Sequence, residues 1–167
     1  INHPRQRFFL AVWQVLNALP MAAAERQCEA VMAWAGADRA GPVSEHTLTA
    51  GELARLDAGG LVEIGGHTVN HLPLDTSDLA TATREIGQCR AQLGEIIGRE
   101  VRSFSYPFGR FGPATPSLVR AAGFDRACTS NWQVAFPEVD PFLIPRITVT
   151  DMDGDRFAAF LQKITGQ

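Results

Sequence analysis

The most informative segment of this chain is Glu63-Ile64-Gly65-Gly66-His67-Thr68-Val69-Asn70-His71, which begins inside the apolar run at 61–64. Gly65 and Gly66 precede the two histidines and Pro73 follows them, so the pair is predicted to lie where a strand runs into a loop. Two neutral imidazoles at this spacing can bind the same metal ion. The alternative is that one histidine caps the loop through a backbone hydrogen bond and the other is merely exposed.

The bulk composition is that of an ordinary globular protein. The 167 residues are enough for one domain with a sizeable core and too few for two. A net charge of -3, with no stretch rich in Lys or Arg, offers no basic field for nucleic acid, so no nucleic-acid partner is expected. No apolar run approaches the roughly 20 residues of a membrane span, and no signal segment opens the chain. The chain is therefore predicted to be soluble, without a membrane span.

The cysteines and the first residue bear on the origin of the chain. Cys28, Cys89 and Cys128 are odd in number and widely spaced, so a disulfide framework is not expected and they are interpreted as small buried hydrophobes. The location is left open, with three unpaired thiols favouring the cytoplasm. The chain begins at Ile1 rather than Met, as expected for a fragment or a processed product.

Residues 1–40 are predicted to form a helical insertion or cap. One helix is expected from about 6 to 19, ending before Pro20, and a second from 22 to 35, stopping at Gly36. No strand signal occurs in this stretch, which a loop around Gly41-Pro42 follows. The alternative for its apolar residues is plain packing in a helix bundle.

Residues 41–167 are predicted to alternate helices with strands. A helix should begin after Thr49, with Glu52 completing a capping box, and further helices are expected at 77–97, 115–122 and 154–164. The strands are expected at 61–64, 101–106, 124–129 and 143–149. Such alternation predicts an α/β fold with a parallel sheet or barrel. Its chemistry should lie at the C-terminal ends of the strands, which is where the histidine loop and the loop at 107–113 fall.

Three motifs taken together resemble those of the polysaccharide deacetylases of carbohydrate esterase family 4. They are His67-Thr68-Val69-Asn70-His71, Phe104-Ser105-Tyr106-Pro107-Phe108-Gly109 and Leu143-Ile144-Pro145-Arg146-Ile147. The resemblance covers about residues 45–165, and the N-terminal helical region looks like an insertion found in some members. It implies a distorted (β/α) barrel, of which residues 41–167 would be the C-terminal part, incomplete at the N-terminus.

The resemblance also implies the chemistry. Members hydrolyse an N-acetyl or O-acetyl group on a carbohydrate with a divalent metal ion, usually zinc, held by one Asp and two His. By this analogy His67 and His71 are the imidazole ligands, and the Thr68 hydroxyl braces their loop. The ion lowers the pKa of a water to about 7 and polarises the acetyl carbonyl. The expected partner is an acetylated glycan.

The same resemblance assigns the remaining candidate site residues. The backbone N–H of Phe108, which follows the motif proline, would donate to the developing oxyanion, and Arg146 could stabilise negative charge. Tyr106, Pro107 and Trp132 are candidate substrate-binding residues, the two aromatic rings as walls that stack on a sugar. The alternatives are core filling for the aromatic rings and a salt bridge at a strand end for Arg146.

Three departures from the family pattern qualify the resemblance. The chain has no Asp-Asp pair, which in the family supplies the catalytic base and the third metal ligand. A truncated chain is the interpretation we favour, because Ile1 would already lie inside the insertion. Ser105 stands where many members carry an arginine. No histidine follows His71 to act as an acid, and Arg146 near that place cannot donate a proton at neutral pH.

Two alternatives to a deacetylase remain open at this point. One is a catalytically inactive, carbohydrate-binding version of the same fold, and the other is an esterase-like protein in which His67 and His71 are structural and bind no metal. An incomplete barrel would also leave an open edge beside residues 61–64. Either the N-terminal helices bearing Phe8, Phe9 and Trp13 or a second chain should cover it, and a homo-oligomer is the expectation.

Overall fold

The computed structural model describes residues 3–37 and 47–166. The chain divides into two compact units, Ile1–Thr47 and Leu48–Gln167. The loop predicted around Gly41-Pro42 lies outside the described residues.

The described residues of the first unit form two helices, α1 (Pro4–Asn17) and α2 (Met21–Ala35). The side chain of His3 caps α1 by accepting a hydrogen bond from the Arg5 N–H, and Pro20 separates the two helices. Gly36 ends α2 in the left-handed conformation that glycine adopts without strain. The two helices predicted in this region are confirmed, with bounds shifted by one or two residues.

The second unit contains four α-helices and a short 3-10 turn at Pro107–Gly109. The helices are α3 (Ala50–Ala58), α4 (Leu79–Ile97), α5 (Thr115–Ala121) and α6 (Gly154–Thr165). The capping box of Thr49 and Glu52 is confirmed at the start of α3, and Gly98 closes α4 in the left-handed conformation. No helix within 3–37 or 47–166 combines the length and the hydropathy needed to cross a bilayer.

A narrow parallel sheet positions the functional loops. Strands β1 (Ser103–Ser105) and β2 (Arg126–Cys128) pair in parallel with Phe104 opposite Ala127. Single parallel bridges extend the sheet on both sides, from Gly66 to Phe104 and from Cys128 to Ile144. The predicted parallel α/β arrangement is therefore confirmed. The described residues do not close into a barrel, which stays a prediction.

Two of the predicted strands were placed wrongly. The segment 61–64 is not a strand, and pairing begins at Gly66, whose N–H donates to the Ser103 carbonyl and whose carbonyl accepts from the Ser105 N–H. A Cβ on Gly66 would lie 2.8 Å from the Phe124 ring, so this close approach requires glycine. The last predicted strand is reduced to a bridge at Ile144, because the next ladder bond is not formed: the Thr129 carbonyl accepts from Nε of Arg146, and the Arg146 N–H donates to the Asn131 carbonyl instead.

The core of the second unit lies between the sheet and helices α4 and α5. Ile86, Val101, Val119 and Ala127 are fully buried, and the ring of Phe104 contacts those of Tyr106 and Phe124. Cys89 belongs to the buried face of α4, as predicted, whereas Cys28 is exposed. The core therefore fixes the strands whose C-terminal ends carry the candidate site.

We expect the chain to self-associate through the segment 61–64. Leu61 is 97% exposed there and Val62 is also exposed, so backbone groups and apolar side chains lie open to a second copy. Static light scattering at micromolar concentration should report about twice the monomer mass, as for a symmetric dimer. Leu61→Ser should shift the equilibrium toward the monomer. A wild-type monomer that unfolds cooperatively would contradict this expectation.

Candidate functional site

The candidate site forms where the parallel segments end. His67 directly follows the bridge at Gly66, and the loop at 107–113 follows β1. Thr129 follows β2, and Arg146 comes just after the bridge at Ile144. Because the C-terminal ends of parallel segments meet at one edge of a sheet, residues far apart in the sequence are brought together here.

The structure brings the imidazoles of His67 and His71 together. Their ring centroids lie 4.7 Å apart, with an interplanar angle of 54°. Thr68 and His71 have positive φ values of 63° and 55°, and each such residue costs about 1–3 kcal/mol when it is not glycine. Two left-handed residues turn the loop back on itself, which is how it places both rings on the same side.

A hydrogen bond fixes the orientation of His67. Its Nδ1 lies 2.6 Å from the carbonyl oxygen of Ser105. A carbonyl oxygen only accepts, so Nδ1 carries the proton and the lone pair of Nε2 is left to bind a metal ion. The backbone hydrogen bond considered for one loop histidine is thus formed by His67. It uses Nδ1 only and leaves Nε2 free of this bond.

The two histidines fit two positions around a divalent ion. Imidazoles that share a tetrahedral ion at about 2.0–2.1 Å hold their ring centres about 5 Å apart, close to the separation of the two rings. Within 3–37 and 47–166, no group of three or more His, Cys, Asp or Glu side chains could hold a metal. Asp75, a carboxylate close to the loop in sequence, forms an ion pair with Arg110 at 2.9 Å. The described residues therefore offer candidates for two of the three protein ligands of a usual catalytic zinc site.

The pKa of His71 lies below its ordinary value. Partial burial of the imidazole is the larger cause, and the charge of His67 beside it is the second. Both causes favour the neutral imidazole, which is the form that binds metal ions.

We expect a pH titration of metal-free protein to show this shift. By NMR, the His71 ring should titrate below about 6.5, the ordinary value for histidine. Between the folded and unfolded pKa values the unfolded chain binds more protons, so this group makes the free energy of unfolding rise with pH in that window and fall as the solution is acidified. His67→Ala should move the titration only part of the way back, because burial is the larger cause. A midpoint above the ordinary value would contradict the assignment.

Phe108 lies beside the histidine pair. Its ring centroid is 4.4 Å from that of His71, in an edge contact. Its φ is 57° and that of Gly109 is 67°, and a Cβ on Gly109 would lie 2.5 Å from the Cβ of Ser130. Among the hydrogen bonds of the described residues, the Phe108 N–H has no acceptor, so this donor is available to a ligand.

Arg146 is joined to the histidine pair through Ser105. Its Nη2 donates to the Ser105 hydroxyl at 2.8 Å, and its Nε donates to the Thr129 carbonyl at 2.9 Å. Ser105 is also the residue whose carbonyl holds His67. No carboxylate of the described residues pairs with Arg146, so the salt bridge considered from the sequence is not formed there.

The structure separates the three candidate substrate-binding residues. Tyr106 is 1% exposed, and its hydroxyl donates to the Phe142 carbonyl at 2.8 Å. Burial raises the pKa of Tyr106, and its ring packs in the core rather than facing a ligand, as the alternative interpretation had it. Pro107 is buried as well. Trp132 is 61% exposed and packs against Phe160 of α6, and no contact among the described residues joins it to the histidines.

Sequence reasoning missed Glu85, a carboxylate of α4 that is 2% exposed and binds the histidine loop. One signal was available in the sequence. Glu85 lies on the apolar face of α4, three residues after Ala82 and four before Cys89, where a charged residue is unexpected unless it has polar partners.

Comparisons with known proteins give a consistent result. The family model for polysaccharide deacetylases matches residues 13–127. YxkH of Bacillus subtilis (strain 168), which carries the name of a polysaccharide deacetylase, is 22% identical over 121 residues, or 72% of this chain and 43% of that protein. This chain thus spans about half the length of the curated relative it matches.

Solved structures show the same fold. The Streptococcus pyogenes deacetylase PplD, determined in complex with acetate, has a TM-score of 0.65 and 21% identity, with 73% of this chain and 53% of that chain covered. IcaB from Ammonifex degensii has a TM-score of 0.59 and 25% identity, covering 70% and 54%. This chain therefore shares the fold of these deacetylase structures over most of its length.

Proposed function

Because this chain belongs to the polysaccharide deacetylase family, we propose that it provides part of the active site of a metal-dependent hydrolase that removes N- or O-acetyl groups from a carbohydrate. The observation that carries this proposal is the convergence of His67 and His71, with ring centroids 4.7 Å apart. The hydrogen bond from His67 to the Ser105 carbonyl supports it, since ligating histidines commonly donate their second ring nitrogen to such an acceptor.

In this proposal His67 and His71 hold a divalent ion, for which zinc is the best candidate because it favours imidazole ligands and tetrahedral geometry. When bound, the ion supplies Lewis acidity toward the acetyl carbonyl and a water of lowered pKa. The chain supplies orientation. Ser105 fixes the tautomer of His67, and burial keeps His71 neutral over a wider pH range by lowering its pKa.

Two further groups would stabilise the negative charge that develops on the acetyl oxygen. The backbone N–H of Phe108 is unpaired among the described residues. Because the Phe108 ring contacts His71, this N–H lies within reach of a group bound at the histidines. The guanidinium of Arg146 carries a positive charge and is held by Ser105 and Thr129. It can attract negative charge there but cannot deliver a proton.

The proposed substrate is an acetylated glycan. Trp132 offers an exposed aromatic face of the kind that stacks on sugar rings. Pro107, being buried, would act only by setting the backbone that presents Phe108. Tyr106 has no place on this surface because its ring is enclosed by the core.

The second candidate function is an inactive, carbohydrate-binding version of the fold. It is favoured by one observation: among the described residues no carboxylate joins the two imidazoles to serve as a base or a third ligand.

Acetate release distinguishes the two functions. We expect the natural protein that contains these residues to release acetate from N-acetylated chito-oligosaccharides with zinc, and to lose at least about 100-fold of this rate with a chelator. The 167-residue chain by itself should show no measurable release, because its described residues place no base at the histidines. Glycan binding without acetate release by the zinc-loaded natural protein would instead establish the inactive version. Turnover by the chain alone would point to another base, and Asp75→Asn would test the first one to consider.

A further inference from the structure

Glu85 is a buried carboxylate that the proposed reaction does not use. It lies on the buried face of α4, and the hydrogen bonds of its carboxylate go to the histidine loop. No Lys or Arg of the described residues forms an ion pair with it. A buried charge is costly unless it is fully hydrogen-bonded, so a carboxylate held only by neutral N–H donors is an unusual choice for simple packing.

Both carboxylate oxygens of Glu85 accept hydrogen bonds from residues between the two histidines. Oε2 accepts from the backbone N–H of Val69 at 3.1 Å and of Asn70 at 2.8 Å, while Oε1 accepts from the side-chain amide of Asn70 at 2.7 Å. One helical turn later, Sγ of Cys89 accepts from the His67 N–H at 3.4 Å. Helix α4 thus holds the loop backbone at three of the four positions from His67 to Asn70.

The loop needs this support because of its conformation. Thr68 and His71 both have positive φ, and residues held in that region persist only when their surroundings fix them. Asn70 immediately precedes His71, so the backbone that Glu85 fixes also sets the direction of the His71 ring. The carboxylate therefore acts on the geometry of the pair rather than on any ligand.

We propose that Glu85 is a positioning residue for the two imidazoles: its carboxylate holds the loop in the one conformation that lets His67 and His71 bind the same ion. The part of this inference that concerns metal rests on the proposed function. The part that concerns the loop does not.

Conservative variants separate charge, shape and hydrogen bonding. Glu85→Gln keeps the size but replaces one acceptor oxygen with an NH2 group, which must face N–H donors whichever way the amide is turned. Asn70→Ala removes only the bond to Oε1 and leaves the two backbone bonds. Glu95→Gln is the matched control, because it makes the same change on an exposed position of the same helix.

The experiment has a metal-free arm and a metal arm. In metal-free protein, amide hydrogen exchange by NMR should accelerate at Val69 and Asn70 in Glu85→Gln and stay unchanged at Tyr106, which bonds to the Cys128 carbonyl. Calorimetric titration should show zinc affinity lowered by about 10–100-fold in Glu85→Gln. The visible absorption of bound Co²⁺ should change as well. Glu95→Gln should match wild type in all three measurements.

Each outcome bears on the proposal. Unchanged exchange at Val69 and Asn70, or zinc affinity equal to wild type in folded Glu85→Gln, would overturn it. Should that variant fail to fold, Asn70→Ala decides, with weaker zinc binding supporting the proposal and wild-type affinity overturning it. A wild-type chain that binds no zinc would overturn the proposed function instead, and the exchange arm would still establish or reject the role of Glu85 in shaping the loop.

Discussion

Replacing His67 with alanine should abolish measurable zinc binding by the chain. The substitution removes one of the two proposed imidazole ligands and also the ring that bonds to the Ser105 carbonyl. Loss of a residue that merely supports a ligand costs about 10–100-fold in metal affinity, so loss of a ligand from a pair should cost more than 100-fold. Isothermal titration with zinc measures this directly.

Two companion variants test whether the loss belongs to the pair. His71→Ala should weaken zinc binding as much as His67→Ala, because a single imidazole cannot chelate. His3→Ala removes a histidine that caps α1 in the first unit and should leave the affinity unchanged. Retained binding in either loop variant would show that zinc binds elsewhere and would contradict the proposed ligands.

Replacing Tyr106 with alanine should produce the largest loss of stability. The side chain is fully buried in the core and packs against the rings of Phe104 and Phe111. Truncating a large buried aromatic residue typically lowers the free energy of unfolding by about 3–5 kcal/mol. Denaturant unfolding followed by circular dichroism provides the measurement.

The hydroxyl of Tyr106 can be separated from its ring. Tyr106→Phe keeps the packing but deprives the Phe142 carbonyl of its donor, so about 1–3 kcal/mol should be lost. Phe136→Ala, at an exposed position, should stay within about 0.5 kcal/mol of wild type. Equal stability of Tyr106→Ala and wild type would contradict the placement of this ring in the core.

Helices could be predicted from the sequence because their signals are local. Thr49 and Glu52 stand three residues apart and cap α3 as expected, and Gly36 and Gly98 end α2 and α4. A capping residue acts on neighbours within one turn, so the printed order of residues contains the whole interaction. The pairing of the two histidines could also be predicted, because they stand only four residues apart in the sequence.

Strands were harder to place because a strand needs a partner. The apolar run at 61–64 looks like a strand, yet the pairing starts at Gly66, where the absence of a side chain allows the rings of Phe104 and Phe124 to approach. The pairing at Ile144 is short for a similar reason, because the Thr129 carbonyl accepts from the side chain of Arg146 rather than from its backbone N–H. Which segments meet in a sheet depends on packing that no short stretch encodes.

The sequence predicted several residues of the candidate site but not the hydrogen bonds that join them. The two histidines and Phe108 come together, whereas Tyr106 turns into the core. Two roles could not be predicted from the sequence. Ser105 hydrogen-bonds both His67 and Arg146, and Glu85 accepts hydrogen bonds from the histidine loop, and each of these contacts joins segments that are distant in the chain.

The sequence separations within the site have a consequence for the order of folding. The capping bond of α3 joins residues 3 apart, whereas the bonds of Ser105 to His67 and Arg146 join residues 38 and 41 apart. Helix formation takes about 0.1–1 μs, but closing long segments must first overcome chain entropy, so parallel pairing is slow. A refolding chain should therefore regain most of its far-ultraviolet ellipticity well before its two imidazoles come together. If the proposed metal site is right, metal uptake would mark this final step.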